Sequence, residues 1–168
     1  MAGVVPSNQA CAWVPALPQP TLGNGGVYSV TMSTRIAASP ATCLQVTLEA
    51  ANYPKWNKFV REVVINKAAP SSSLRDLDPA LGFLAGTGTQ ADKMLLPGTE
   101  TTFKAYVDQN SDSVNNTHLV VTELKEFEHE GRKGFRVAWA QKGVSNGAPP
   151  SLPNVDVPFS RVYKFCHL

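Results

Sequence analysis

Two short motifs, Ser39-Pro40 and Asn52-Tyr53-Pro54, restrict this chain more than any other feature, because together they bracket one short helix between segments of strand character. A serine hydroxyl can cap the first free N–H groups of a helix, and a proline at the first helical position loses nothing by lacking its own. The spacing predicts a helix over about 40–51, with Leu44, Leu48 and Ala51 on one stripe that can lie on a sheet. Pro54 disfavours helical geometry at Tyr53 and ends it. Lys55-Trp56-Asn57 then allows a short second helical turn before strand character resumes over 59–65. Upstream, residues 28–36 alternate strictly. Tyr28, Val30, Met32, Thr34 and Ile36 fall on one face and Ser29, Thr31, Ser33 and Arg35 on the other, the pattern of a half-buried strand.

The remaining segments extend this order of strand, helix, short helix and strand. Residues 1–26 are rich in Pro, Ala and Gly, lack either periodicity, and are expected to form a flexible leader. Residues 68–97 read as a long loop with a helical turn or two near Leu81 to Leu84. Three segments of strand composition follow, 99–108, 117–128 and 133–142, the last two joined by the tight turn Glu130-Gly131-Arg132-Lys133-Gly134. A second Gly/Pro/Ser/Asn stretch leads to a final strand over about 157–165. The predicted class is α+β, one domain over 27–168 built on an antiparallel meander.

Charge and cysteine content exclude several classes of function. The formal net charge is +2, and the basic residues are scattered from Arg35 to Lys164 instead of forming a stripe, so nucleic acid is not an expected partner. No apolar stretch reaches the roughly 18 residues of a membrane span. Met1 to Pro20 carries no Lys or Arg and is broken by four prolines, which is a poor signal peptide. Cys11, Cys43 and Cys166 lack both disulfide-framework and zinc-ligand spacing, so a reducing, cytoplasmic location is expected and the sequon at Asn115 carries no weight.

The order just described, with Ile36-Ala37-Ala38-Ser39-Pro40 entering a helix and Tyr53-Pro54-Lys55-Trp56-Asn57-Lys58-Phe59-Val60 leaving it, resembles the START-like (SRPBCC) superfamily, which includes polyketide cyclase/dehydrase-like proteins and lipid carriers. Leu96-Pro97-Gly98-Thr99, Arg136-Val137-Ala138-Trp139 and Ser160-Arg161-Val162 add to the likeness. The resemblance implies a helix-grip fold, in which a curved antiparallel sheet and two short N-terminal helices enclose an apolar cavity. It also implies a further strand and a long C-terminal helix over the concave face, and no segment here corresponds to them. An apolar sheet face left open is costly, at about 25 cal/mol per Å². Segment 10–22, the loop from Leu74 to Leu84, or a second copy in a homodimer are the expected covers, and a truncated gene product is the alternative.

Candidate ligand-binding residues are Trp56, Phe59, Phe103, Phe135, Trp139, Phe159 and Tyr163, whose side chains suit either a cavity wall or an ordinary core. Phe135, Val137 and Trp139 share one strand face and Arg136 takes the other. Arg161 lies between Phe159 and Tyr163, where it would bind a ligand carboxylate or enolate, or pair with Glu123 or Glu126; pairing is favoured because charges near a core are usually neutralised. His118 opens a strand and becomes a general-base candidate if it points inward, whereas His129 and His167 read as surface residues. Gly86-Thr87-Gly88-Thr89-Gln90-Ala91 fits a dinucleotide fingerprint only formally, since no strand precedes it and Pro97 stops any helix after it. Neither a nucleophile with its base nor a metal cluster emerges, and no cofactor or metal is expected. The expected activity is uptake of a hydrophobic small molecule, a polyketide-like metabolite or lipid. Cyclase-like catalysis in the same cavity, with Arg161, His118, Tyr106 and Arg136 steering protons, is the second possibility.

Overall fold

In the computed structural model, which describes residues 12–15, 28–31, 34, 36–70, 79–86, 90–106, 110, 113–129, 131–142 and 161–164, Ser39 caps helix α1 (Pro40–Leu48). Its hydroxyl accepts a hydrogen bond from the Thr42 N–H at 3.1 Å, and Pro40 occupies the first turn. The helix stops one turn before the expected end. Glu49 turns extended (φ −78°, ψ 102°) and bridges to Met94, and the Leu95 N–H donates to the Leu48 carbonyl at 2.8 Å. A tertiary partner therefore takes a carbonyl that the next helical turn would have used. The stripe shifts in consequence: Leu44 and Leu48 are fully buried, but Ala50 is buried in place of Ala51, which is exposed.

A 3₁₀ turn (Ala50–Asn52) leads into α2 (Tyr53–Trp56). Tyr53 is helical (φ −51°, ψ −46°) in spite of the proline after it, so α2 begins at Tyr53 and not after Pro54 as expected. Pro54 lies in the first turn of α2, where no N–H is needed.

Strands β3 (Val60–Lys67), β4 (Glu100–Ala105), β5 (Asn115–His129), β6 (Arg132–Gln141) and β7 (Arg161–Lys164) form one antiparallel sheet in sequence order. The predicted meander thus appears, and of the final strand expected over 157–165 the described residues are Arg161–Lys164. The segment 28–36 differs more. Its residues Tyr28–Thr31 form strand β2, which pairs with β1 (Ala12–Pro15) as a separate two-stranded sheet, while Thr34 and Ile36 lie outside the strand and are exposed. A four-residue strand such as β1 is too short to show a periodicity, which is why this part of the leader carried no strand signal.

One face of the five-stranded sheet carries Phe103, Leu119, Val121, Leu124, Phe135, Val137 and Trp139, all buried. Leu44 and Leu48 of α1 and Tyr53 of α2 cover part of it. Leu81, Leu84, Met94, Leu95 and Leu96, from two 3₁₀ segments (Pro79–Gly86 and Ala91–Lys93) and the turn after them, cover the rest. Of the covers expected for this face, the loop from Leu74 to Leu84 thus contributes through its described residues Leu81 and Leu84, together with Met94, Leu95 and Leu96. Each buried leucine contributes about 1.5–3 kcal/mol.

The cover is pinned to the sheet at Leu96-Pro97-Gly98-Thr99. The Thr99 N–H donates to the Leu96 carbonyl (2.9 Å), Gly98 N–H to Val121 O (2.8 Å) and Val121 N–H to Thr99 O (3.0 Å). Pro97 sets the first central position of this turn, and Gly98 supplies the positive φ (90°) of the second. The buried Thr99 hydroxyl accepts from the Leu96 N–H (3.1 Å) and donates to Met94 O (3.2 Å). Thr99→Val keeps the shape but strands the Leu96 N–H, and urea titration should show a loss of about 1–3 kcal/mol.

Gly131 closes the β5–β6 hairpin at φ 72°, and a Cβ there would meet nothing within 4 Å. Gly131→Ala should cost about 1–2 kcal/mol, the backbone strain alone. Gly98→Ala should cost more, because its Cβ would also lie 3.0 Å from Pro70 Cδ. Thermal melts of the two variants check the order.

Candidate functional site

The polar side chain of Asn57 shapes the junction between α2 and the sheet. Its N–H closes α2 on the Tyr53 carbonyl (2.9 Å), and its Oδ1 accepts from the Phe59 and Val60 N–H groups (3.0 and 2.8 Å). The chain is thereby turned sharply from helix into β3. This turn holds Tyr53 and Trp56 over the end of the sheet, their rings 4.9 Å apart. Tyr53 meets Phe103 edge-on at 5.4 Å, and Phe103 meets Trp139 edge-on at 6.2 Å. Such tilted geometries are those aromatic quadrupoles favour.

A pocket of about 90 Å³ opens between these rings, lined by Thr47, Tyr53, Trp56, Asn57, Val60, Phe103 and Trp139. Its wall is largely aromatic. Thr47 donates its hydroxyl hydrogen to the Cys43 carbonyl at 2.9 Å, so this polar group is already engaged in the helix. Among the described lining residues there is no histidine, carboxylate, amine or guanidinium. The described part of this lining suits an apolar or aromatic guest held by contact.

Three of the expected ligand-binding residues, Trp56, Phe103 and Trp139, meet in this pocket. Phe59 stands on the turn beside it, 39% exposed, and Phe135 packs in the core against Phe83 at 5.6 Å. Phe159 lies outside the described residues. Tyr163 and Arg161 lie in β7, in register with Val137 and Trp139, and their side chains are outside the description.

The polar candidates are dispersed. Tyr106 packs beneath the Arg61 guanidinium, 4.4 Å from the ring centre. Arg136 lies on the opposite face of the sheet, 5.6 Å over Phe127 and 3.9 Å from Glu123, which Lys125 also contacts. Glu126 pairs with Lys133 at 3.6 Å. His118 is exposed on that same outer face, opposite Thr102 in register, with Nδ1 2.9 Å from the Thr102 hydroxyl; Asn66 donates to the same hydroxyl at 2.7 Å.

Thr47, Tyr53, Asn57 and Val60 were not among the candidates, although Tyr53, Asn57 and Val60 belong to the run that carries the family resemblance. Cys43 is a buried free thiol. The described residues include no group of His, Cys, Asp and Glu able to hold a metal, and no helix long and apolar enough to cross a membrane. Comparison of the chain with models of known protein families, with curated proteins and with solved structures gives no match in any of the three.

The outer face is laced with ion pairs that give it one definite pH response. Lys142 hydrogen-bonds Glu100, and with Lys67 at 3.7 Å it holds the Glu100 carboxyl below its ordinary 4.5, against the opposing pull of partial burial. A carboxylate lowered by folding adds stability at neutral pH and loses it as the pH falls below 4.5 and through the lowered value. Glu100→Gln should therefore be slightly less stable than the parent at pH 7, with the difference vanishing in acid. Melting curves across that range measure it, and because the pair is on the surface the effect should also shrink in high salt.

Proposed function

We propose that residues 27–168 form a START-like helix-grip domain that binds a small apolar or aromatic molecule, or the apolar end of a polyketide-like metabolite or lipid. The observation that carries this reading is the pocket between α1, α2 and the sheet. Four aromatic side chains and Val60 line it, at the place where the Tyr-Pro-Lys-Trp-Asn turn joins helix to strand. The order of helix, short helix and antiparallel meander supports the fold assignment.

Size sharpens the ligand class. Pockets for drug-sized ligands occupy roughly 300–1,000 Å³, whereas an apolar cavity of about 150 Å³ already admits benzene. At about 90 Å³ the pocket is smaller than either, so as it stands it accepts a short acyl end, and a ring enters only as a wall moves. A larger ligand enters by swinging Trp56 outward, a side chain already 46% exposed. Binding of this kind uses contact and water release.

Tryptophan emission provides the test, since Trp56 and Trp139 both face the pocket. In a Trp13→Phe background, which removes an exposed emitter, titration with phenol, 1-naphthol and decanoate should give saturable quenching by at least one probe. Thr47→Leu and Val60→Phe fill the pocket from two sides and should each weaken that binding at least tenfold while the protein still melts cooperatively. No saturable response to any probe, or binding unchanged in both filled variants, would reject the assignment.

A further inference from the structure

The turn that forms the pocket rim also presents an outer surface of a different character. Over 53–61 the chain reads Tyr-Pro-Lys-Trp-Asn-Lys-Phe-Val-Arg, with three cations and no acid. Trp56 and Phe59 are 46% and 39% exposed, and Pro54, Lys55 and Lys58 are exposed beside them. Large rings are rarely left in water without a use when they stand together among cations. The Asn57 turn holds them there: with Oδ1 fixed by the Phe59 and Val60 N–H groups, Trp56 and Phe59 stay on one protruding bend.

The charges are fixed on the same bend. Lys55 Nζ donates to Asn52 Oδ1 at 2.8 Å, and Arg61 Nε donates to the Lys58 carbonyl at 3.1 Å with its guanidinium laid over Tyr106. The nearest acids along the chain are already engaged. Glu49 accepts from Gln45 and Asn52, and Glu62 pairs with Lys104 at 2.9 Å. The bend thus shows two rings and a ring of positive charge, in a chain whose formal charge is only +2.

We infer that this turn docks the protein on an anionic lipid surface, with Trp56 and Phe59 entering the headgroup boundary and Lys55, Lys58 and Arg61 meeting the phosphates and carboxylates. Charge complementarity selects this occupant. Indole and phenyl side chains settle at the boundary between headgroup and acyl chain, and basic residues beside them are attracted by anionic lipid. A nucleic acid strand would need a groove that tracks its backbone with stacking platforms in succession, and one turn carrying two exposed rings does not make one. The inference does not depend on the pocket holding a ligand, although docking would place the pocket mouth against the membrane.

Co-sedimentation of the full chain with vesicles of phosphatidylcholine containing 30% phosphatidylserine tests it. The protein should bind these vesicles and not pure phosphatidylcholine, and 0.5 M salt should release most of it. Trp56→Ala with Phe59→Ala should lower the partition about tenfold or more. Lys55→Ala with Lys58→Ala should lower it about 25-fold, at about fivefold per cation. Both double variants should still melt cooperatively, the lysine pair near the parent temperature and the aromatic pair below it because the Trp56 ring packs on Tyr53, and the pocket-filled Thr47→Leu should bind vesicles normally whether or not the pocket proves to be a ligand site. The inference falls if the parent does not sediment, if neutral vesicles bind equally, or if both double variants bind like the parent. It also falls if the rings prove to bury themselves in a second copy, seen as a dimer that Trp56→Ala with Phe59→Ala dissolves, or if an oligo-dT strand is captured and vesicles are not.

Discussion

The hydrogen bond from the Leu95 N–H to the Leu48 carbonyl is small in itself, but the arrangement of the domain depends on what it joins. On one side is the end of α1, whose buried leucines lie on the sheet. On the other is Met94-Leu95-Leu96, fully enclosed, running straight into the turn that Val121 clasps from β5. One net of backbone bonds thus ties helix, cover segment and sheet together. Because buried backbone groups must find partners, the irregular stretch over the sheet is tolerated only where its N–H and C=O groups are met in this way. The Thr99 hydroxyl completes the net by serving both an N–H and a carbonyl of the same turn.

The same bond explains the placement of the pocket. By stopping α1 at Leu48 it forces the chain through Glu49 and the 3₁₀ turn, which rotates Tyr53 inward to meet Phe103 and leaves Trp56 at the rim. A helix continued to Ala51 would have carried that stripe onward and aimed Tyr53 elsewhere. Asn57 then reverses the chain into β3, so the pocket floor, the rim and the exposed aromatic bend all descend from one interrupted helix. The two faces of the sheet divide the chemistry accordingly. Aromatic and aliphatic groups face the helices, while His118, Arg136 and the ion pairs of Glu62, Glu100 and Glu123 face outward.

Much of the scaffold is legible from local rules. Ser39 and Pro40 mark the start of α1, Gly131 marks the hairpin, and Leu96-Pro97-Gly98-Thr99 spells a turn that needs a proline followed by a positive φ. The alternation of Phe135, Val137 and Trp139 against Arg136 puts the three on one face of β6, but Ala138 and Ala140 on the other face are buried as well, so the pattern does not say which face meets the helices. In β5 that logic fails for a physical reason. The register shifts between Val121 and Glu123, so the buried set passes from Leu119 and Val121 to Leu124, and a period of two read through the bulge assigns the wrong face to half the strand. The candidate site was legible in part, through Trp56, Phe103 and Trp139. Thr47, Asn57 and Val60 join it only because α1 and α2 end where they do.

By itself, then, the sequence determined the places where the backbone must change direction and the residues that want to be buried, because capping, proline geometry and apolar periodicity act over a few neighbours. The tertiary structure decided how long α1 could continue, which segment closes the sheet, and which aromatic rings meet around a cavity and which turn outward. Those outcomes rest on bonds and contacts between residues far apart in the chain, such as Leu48 with Leu95, Thr99 with Val121 and Tyr53 with Phe103, and no local pattern encodes their geometry.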